Sequence, residues 1–151
     1  VLLGHARGGR LAGEVGGDRV NLIVADEWID YPFVQKPHIL VALSPEGYTQ
    51  CRHTAAENAV IITEENLVTP FDGDEVYRIP ATRLAESLGR RVVANMVMLG
   101  FFAAVTGLVS VDALKQAVTS TVRPKTVQLN LQALETGYQY PVEKHIYRSG
   151  S

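Results

Sequence analysis

The sequence predicts an α/β domain of three layers, a mostly parallel sheet with helices on both faces. Two observations carry this. The runs HILVALS, His38 to Ser44, and AVIIT, Ala59 to Thr63, are short and apolar throughout, as strands covered on both faces are. From His38 onward, segments with helical start signals and apolar stripes follow or separate the strands, in the order strand, helix, strand, strand, then four helices. The chain has 151 residues, suited to a single domain over 1–151, with a glycine-rich N-terminal part at 1–19 and a tail at 139–151.

Residues Val1 to Gly17 carry Gly4, Gly8, Gly9, Gly13, Gly16 and Gly17 and are expected to form a loop. Gly4 to Leu11, GHARGGRL, has the glycine spacing of a phosphate loop. Arg10 and Leu11 stand where that loop needs Lys and then Ser or Thr, so the motif fails. VNLIVA, Val20 to Ala25, reads as the first strand. Asp26 to Pro37 is polar, aromatic and broken by Pro32 and Pro37, hence a surface connection. It concentrates Trp28, Tyr31 and Phe33, and aromatic side chains on a loop commonly anchor a partner. They could equally fold back over the domain's own core.

After His38 to Ser44, Ser44 caps a helix whose first position is Pro45; this helix is expected to reach Ala56. The Ala59 to Thr63 strand follows. Glu64 to Asp74 is a loop with turn chemistry at Pro70 to Asp74, and its carboxylates lack the spacing of a calcium loop, so a solvated turn is expected. Glu75 to Ile79 is the next strand, stopped by Pro80. Thr82 is expected to cap the following helix, with Leu84 and Leu88 inward and Gly89 at its end.

Val92 to Val109, VVANMVMLGFFAAVTGLV, is a helix apolar on every side, so it must be covered on every side. Its length touches the lower edge of a membrane span, roughly 17–25 residues. Gly100, Gly107 and Asn95 weaken that reading, and a helix central to a soluble domain or to a subunit interface is expected instead. Asn95 is then either a buried amide in need of partners or a mark of the interface. Ser110 caps a helix with Val111, Leu114, Val118 and Val122 near one face. Pro124 opens the last helix, with Val127, Leu131 and Leu134 inward and Gly137 as its stop. Tyr138 to Ser151 is a tail without periodicity, and Ser149-Gly150-Ser151 reads as residues appended by cloning.

Chemistry is sparse. A net charge of −2 offers no basic face for nucleic acid. Cys51 is the single cysteine, which excludes an internal disulfide and a cysteine-ligated iron–sulfur cluster built by this chain alone, and fits a reducing, cytoplasmic setting. Cys51 and His53 are too few for a structural zinc site. Ser44 lacks the glycines of a nucleophile elbow. The pairs Asp26-Glu27 and Glu64-Glu65 read as solvated strand ends. No catalytic, cofactor-binding or metal-ligating residue is assigned.

ADEWIDYPFVQKPHILVALSPEGY, IPATRLAESLGRRVVANMVMLGFFAAVTGLVSVDALKQAV and LNLQALETGY stand in this order between Val20 and Tyr138. Together they resemble the γ subunit, or γ domain, of 2-oxoacid:ferredoxin oxidoreductases. The IDYP block is most similar to the 2-oxoglutarate members, ahead of those acting on pyruvate and branched-chain 2-oxoacids. The resemblance implies an enzyme complex that oxidatively decarboxylates a 2-oxoacid with coenzyme A to an acyl-CoA and reduces ferredoxin. It implies that thiamine diphosphate and iron–sulfur clusters are held by other subunits. This chain would be an accessory subunit beside α and β partners, with δ as an optional fourth. Candidate subunit contacts are Trp28, Tyr31, Phe33 and Asn95. The family's opening G-x-G-G-Q-G turn has no counterpart among Val1 to Gly17, so no ligand contact of that turn is carried over. The competing reading is a stand-alone, flavodoxin-like module for a nucleotide or small molecule, held near Asp26, Ser44 and Thr63 at the carboxyl ends of the strands.

Overall fold

The computed structural model describes the backbone of residues 10–16, 19–25 and 36–150 and the side chains of residues 36–150. Strand β1, Arg10–Gly16, pairs antiparallel with β2, Arg19–Ala25, from Arg10 opposite Ala25 to Gly16 opposite Arg19. This corrects the expectation of a loop throughout the N-terminal glycines. The glycines hid the strand from a propensity argument; the ladder with β2 supplies what propensity lacks.

The main sheet has the order β3-β4-β5-β6. Strands β3 (Ile39–Ala42), β4 (Val60–Glu64) and β5 (Glu75–Ile79) are parallel, and β6 (Lys144–Ile146) runs antiparallel to β5. The tail therefore contains a strand that the sequence did not announce. All three β6 residues are exposed, so no apolar alternation marks it. It is held by its ladder, by Gly73 N–H donating to Tyr147 C=O at 2.8 Å, and by Tyr147 N–H donating to Asp74 C=O at 2.8 Å.

Period-2 geometry sends alternate residues to opposite faces of the sheet. Leu40, Ala42, Ile61 and Val76 meet Tyr48 of α1 (Pro45–Arg52) on one face. Ile62 and Ile79 on the other meet Ala81 and Ala85 of α2 (Ala81–Ser87), Val97, Met98 and Phe101 of α3 (Ala94–Thr106), and Ala133 of α5 (Val127–Tyr138). This is the three-layer, mostly parallel α/β arrangement expected. Helix α4 (Val111–Thr121) packs through Leu114 and Val118 on Ala103 and Leu134, away from the sheet.

Local signals set several boundaries as expected. Ser44 Oγ accepts from Gly47 N–H at 3.1 Å, and Ser110 Oγ accepts from Ala113 N–H at 3.2 Å. Helix α1 nonetheless stops at Arg52 rather than Ala56. Thr54 N–H turns back to Cys51 C=O, and Ala56 N–H is taken by Pro37 C=O at 3.0 Å. Helix α2 begins after Pro80 without a side-chain cap, which corrects the role given to Thr82. The Thr82 N–H donates instead to Glu64 Oε1 at 3.2 Å.

The apolar run divides into a 3₁₀ turn, Arg91–Val93, and α3, which ends where Gly107 adopts φ 64°. No helix among the described residues is long and apolar enough to cross a membrane. Pro124 likewise opens a 3₁₀ turn, Pro124–Thr126, that leads into α5. Gly137 lies buried inside α5 instead of stopping it.

Candidate functional site

Every residue of helix α3 except Asn95 is buried or half-buried, and Ala94, Met96, Leu99, Phe102 and Val105 pack against the core clusters. Val97, Met98, Gly100, Phe101 and Ala103 are buried, whereas Val92 beside its start is 70% exposed and Leu108 beyond its end 52%. Asn95, three residues from Val92 and so on a similar face, is exposed. This corrects the buried-amide alternative. The Asn95 side-chain oxygen accepts from Met96 N–H at 2.9 Å, a local bond at the first turn of the helix. Being exposed, the rest of this amide needs no partner within the chain. Trp28, Tyr31 and Phe33, the other three candidate contacts, lie outside the described residues.

The carboxyl ends of the parallel strands hold the polar groups. Ser44 is occupied as the α1 cap. Thr63 is fully buried and its hydroxyl has no partner among the described residues. Glu64, expected at a solvated strand end, is 1% exposed. Its Oε2 accepts from Asn66 N–H and Leu67 N–H, each at 2.7 Å, while Oε1 takes the Thr82 N–H. The carboxylate thus holds the turn after β4 against the start of α2. Pairing with three backbone donors is what permits a buried carboxylate. Asp26 lies outside the described residues.

A second polar knot fixes α1 to the turn before β5. Arg52 Nε and Nη2 donate to the two oxygens of Asp74 at 2.9 and 2.6 Å. The Tyr48 hydroxyl donates to Asp74 and accepts from Phe71 N–H at 3.2 Å. Burial, followed by the Asp74 hydrogen bond, pushes the Tyr48 phenol up to about 12. Burial raises the Asp74 carboxyl, but hydrogen bonds from Arg52 and Tyr48 outweigh it and hold it below its ordinary value. The expectation of a solvated turn therefore fails at Asp74, whose partners come from α1. Sequence spacing gave no sign of this, because Arg52 and Asp74 are far apart along the chain.

Among the described residues, no three His, Cys, Asp or Glu side chains gather closely enough to hold a metal ion. A cluster on four thiolates does not fit a chain with Cys51 as its single cysteine. The arrangement braces the fold; no nucleophile with a neighbouring base is present among the groups described above.

Comparison with known proteins places this geometry. The family model described as pyruvate ferredoxin/flavodoxin oxidoreductase matches residues 15–140. The chain is 37% identical over 133 residues to the 2-oxoglutarate synthase subunit KorC of Methanocaldococcus jannaschii, covering 85% of this chain and 71% of that protein. It is 34% identical over 73 residues to the pyruvate synthase subunit PorC of the same organism, covering 48% of this chain and 41% of that one. The crystal structure of the keto/oxoacid ferredoxin oxidoreductase γ subunit from Geobacter sulfurreducens superposes with a TM-score of 0.76 at 28% identity, covering 87% of this chain and 78% of that chain.

Proposed function

Because this chain belongs to the pyruvate ferredoxin/flavodoxin oxidoreductase family, we propose that it works as the γ subunit of a 2-oxoacid:ferredoxin oxidoreductase. It is one subunit of a multi-subunit enzyme and carries no complete active site of its own. The complex oxidatively decarboxylates a 2-oxoacid with coenzyme A and passes the electrons to ferredoxin. The longer match to a 2-oxoglutarate synthase subunit favours 2-oxoglutarate over pyruvate as the substrate.

The observation that carries this reading is the fold-wide likeness to a γ subunit. The donor set agrees with it. With a single thiol this chain cannot by itself supply four cysteine ligands to an iron–sulfur cluster, in keeping with the family resemblance, which implies that clusters and thiamine diphosphate are held by the companion α and β subunits, and by δ where present. The work of this chain is to dock. Exposed Val92 and Asn95, at the turn into α3, support such a role, as do the aromatic residues Trp28, Tyr31 and Phe33 in the sequence before β3. We place the complex in the cytoplasm, where a reduced Cys51 is expected.

The test is co-expression with the neighbouring subunits and purification through a tag on this chain. Thiamine diphosphate and iron are expected in the eluate, with 2-oxoglutarate-dependent reduction of ferredoxin. The chain expressed alone is expected to be colourless and inactive. Oxoacid turnover by the isolated chain, or failure to retain any iron-containing partner, would overturn the reading.

A further inference from the structure

A cleft of about 330 Å³ opens beyond the carboxyl ends of β4 and β5, where open α/β sheets hold their ligands. Glu65 follows β4, Arg78 is the penultimate residue of β5, and Tyr140, Pro141, Glu143 and His145 complete the lining.

The Arg78 guanidinium and the Glu65 carboxylate are not paired with each other. Arg78 Nη2 donates to the backbone C=O of Glu65 at 2.7 Å, while Arg78 Nε is buried without an acceptor among the described residues. The Tyr147 ring lies 5.9 Å from the guanidinium carbon. Among the described residues no carboxylate pairs with Arg78 and no cation pairs with Glu65. Among the described residues Glu143 pairs with the His145 imidazole, at 3.7 Å.

The mixture of signs decides the ligand class. A simple anion drawn to Arg78 would face Glu65 and Glu143. A simple cation drawn to the glutamates would face Arg78. A molecule bearing a carboxylate and an ammonium group a few ångströms apart meets both. The volume is at the small end for ligand sites, roughly 300–1,000 Å³. Tyr140, packed edge-on against Phe101 at 5.8 Å, and Pro141 offer an apolar wall. We propose that this cleft binds a small zwitterion, an α-amino acid with an apolar side chain, with Arg78 on its carboxylate and Glu65 on its ammonium group. The inference does not depend on the chain's place in an oxidoreductase.

Calorimetric titration of the full chain tests it with three probes of one carbon skeleton. L-Leucine carries both charges, 4-methylpentanoate only the negative and 3-methylbutylamine only the positive. Binding is expected for leucine alone, weakened about tenfold or more by Glu65→Gln and by Arg78→Gln. Glu86→Gln, on the exposed side of α2 outside the cleft, should leave it unchanged. Thermal melts establish that each variant is folded; should Arg78→Gln fail to fold, Glu65→Gln carries the test. Absence of leucine binding, equal binding of a singly charged analogue, or unaltered binding by Glu65→Gln would each overturn the proposal.

Discussion

Gly100 of α3 and Gly137 of α5 let the two helices touch backbone to backbone. A Cβ on Gly100 would stand 2.0 Å from the Leu134 carbonyl oxygen, and one on Gly137 would stand 1.8 Å from that of Val97. Both glycines are buried, and each lies against the other's helix. Neither has a positive φ. Glycine is required here for close approach, not for conformation.

Gly100→Ala or Gly137→Ala should therefore push the helices apart and destabilise the chain by about 3 kcal/mol or more, the upper range for overpacking. At this chain length each kcal/mol corresponds to about 2–4 °C in Tm. Gly107→Ala, where a Cβ meets nothing within 4 Å but φ is +64°, should cost only about 1–2 kcal/mol. The double variant at Gly100 and Gly137 should cost less than the sum, because one displacement relieves both clashes. Urea or thermal denaturation measures all four, and an additive double variant would show that the contacts are independent.

Glu64→Ala removes the acceptor of three backbone N–H groups at once and should cost about 3 kcal/mol or more. Glu64→Gln keeps one acceptor oxygen and should cost less. Hydrogen exchange should locate the loosening at Asn66, Leu67 and Thr82. Uniform loss of protection across the sheet would contradict the bracing role.

The Tyr48–Asp74–Arg52 knot predicts stability falling at both ends of the pH scale. The Asp74 pKa is depressed in the folded chain. Its contribution is complete above the unfolded carboxyl value near ~4 and is lost as pH drops through the folded value below it. The Tyr48 pKa is raised to about 12, so its contribution is complete below the unfolded phenol value near ~10 and is lost as pH rises through the folded one. Asp74→Asn should cost about 2–3 kcal/mol near neutrality and flatten the acid limb. Tyr48→Phe should flatten the alkaline limb. Denaturation midpoints against pH for the three proteins decide this.

Asn95 is exposed, so Asn95→Arg should leave Tm within about 1 °C while a docked α3 face would reject the added bulk and charge. Retention of companion subunits on a tagged chain should fall about tenfold. Trp28→Ala, Tyr31→Ala and Phe33→Ala should each lower retention as buried aromatic anchors do. Unchanged iron and thiamine content in all four eluates would remove these residues from the interface.

Much of the fold was legible from neighbours in sequence. The β3 and β4 runs and the Ser44 and Ser110 caps all announce themselves within a few residues, because capping and period are local physics. The likeness to a γ subunit also lay in the chain itself, since it rests on residue order.

Tertiary structure decided the rest. Only packing tells whether a glycine such as Gly137 ends a helix or admits a neighbour, since the deciding atom belongs to Val97. Only the return of α2 to the end of β4 buries Glu64 and relieves Thr82 of capping. Strand β6, exposed at every residue, exists because β5 offers it a free edge. Local signals fix which elements form; the partners of a buried polar group or a side-chain-free contact are set by residues distant in the chain, and those no short window of sequence contains.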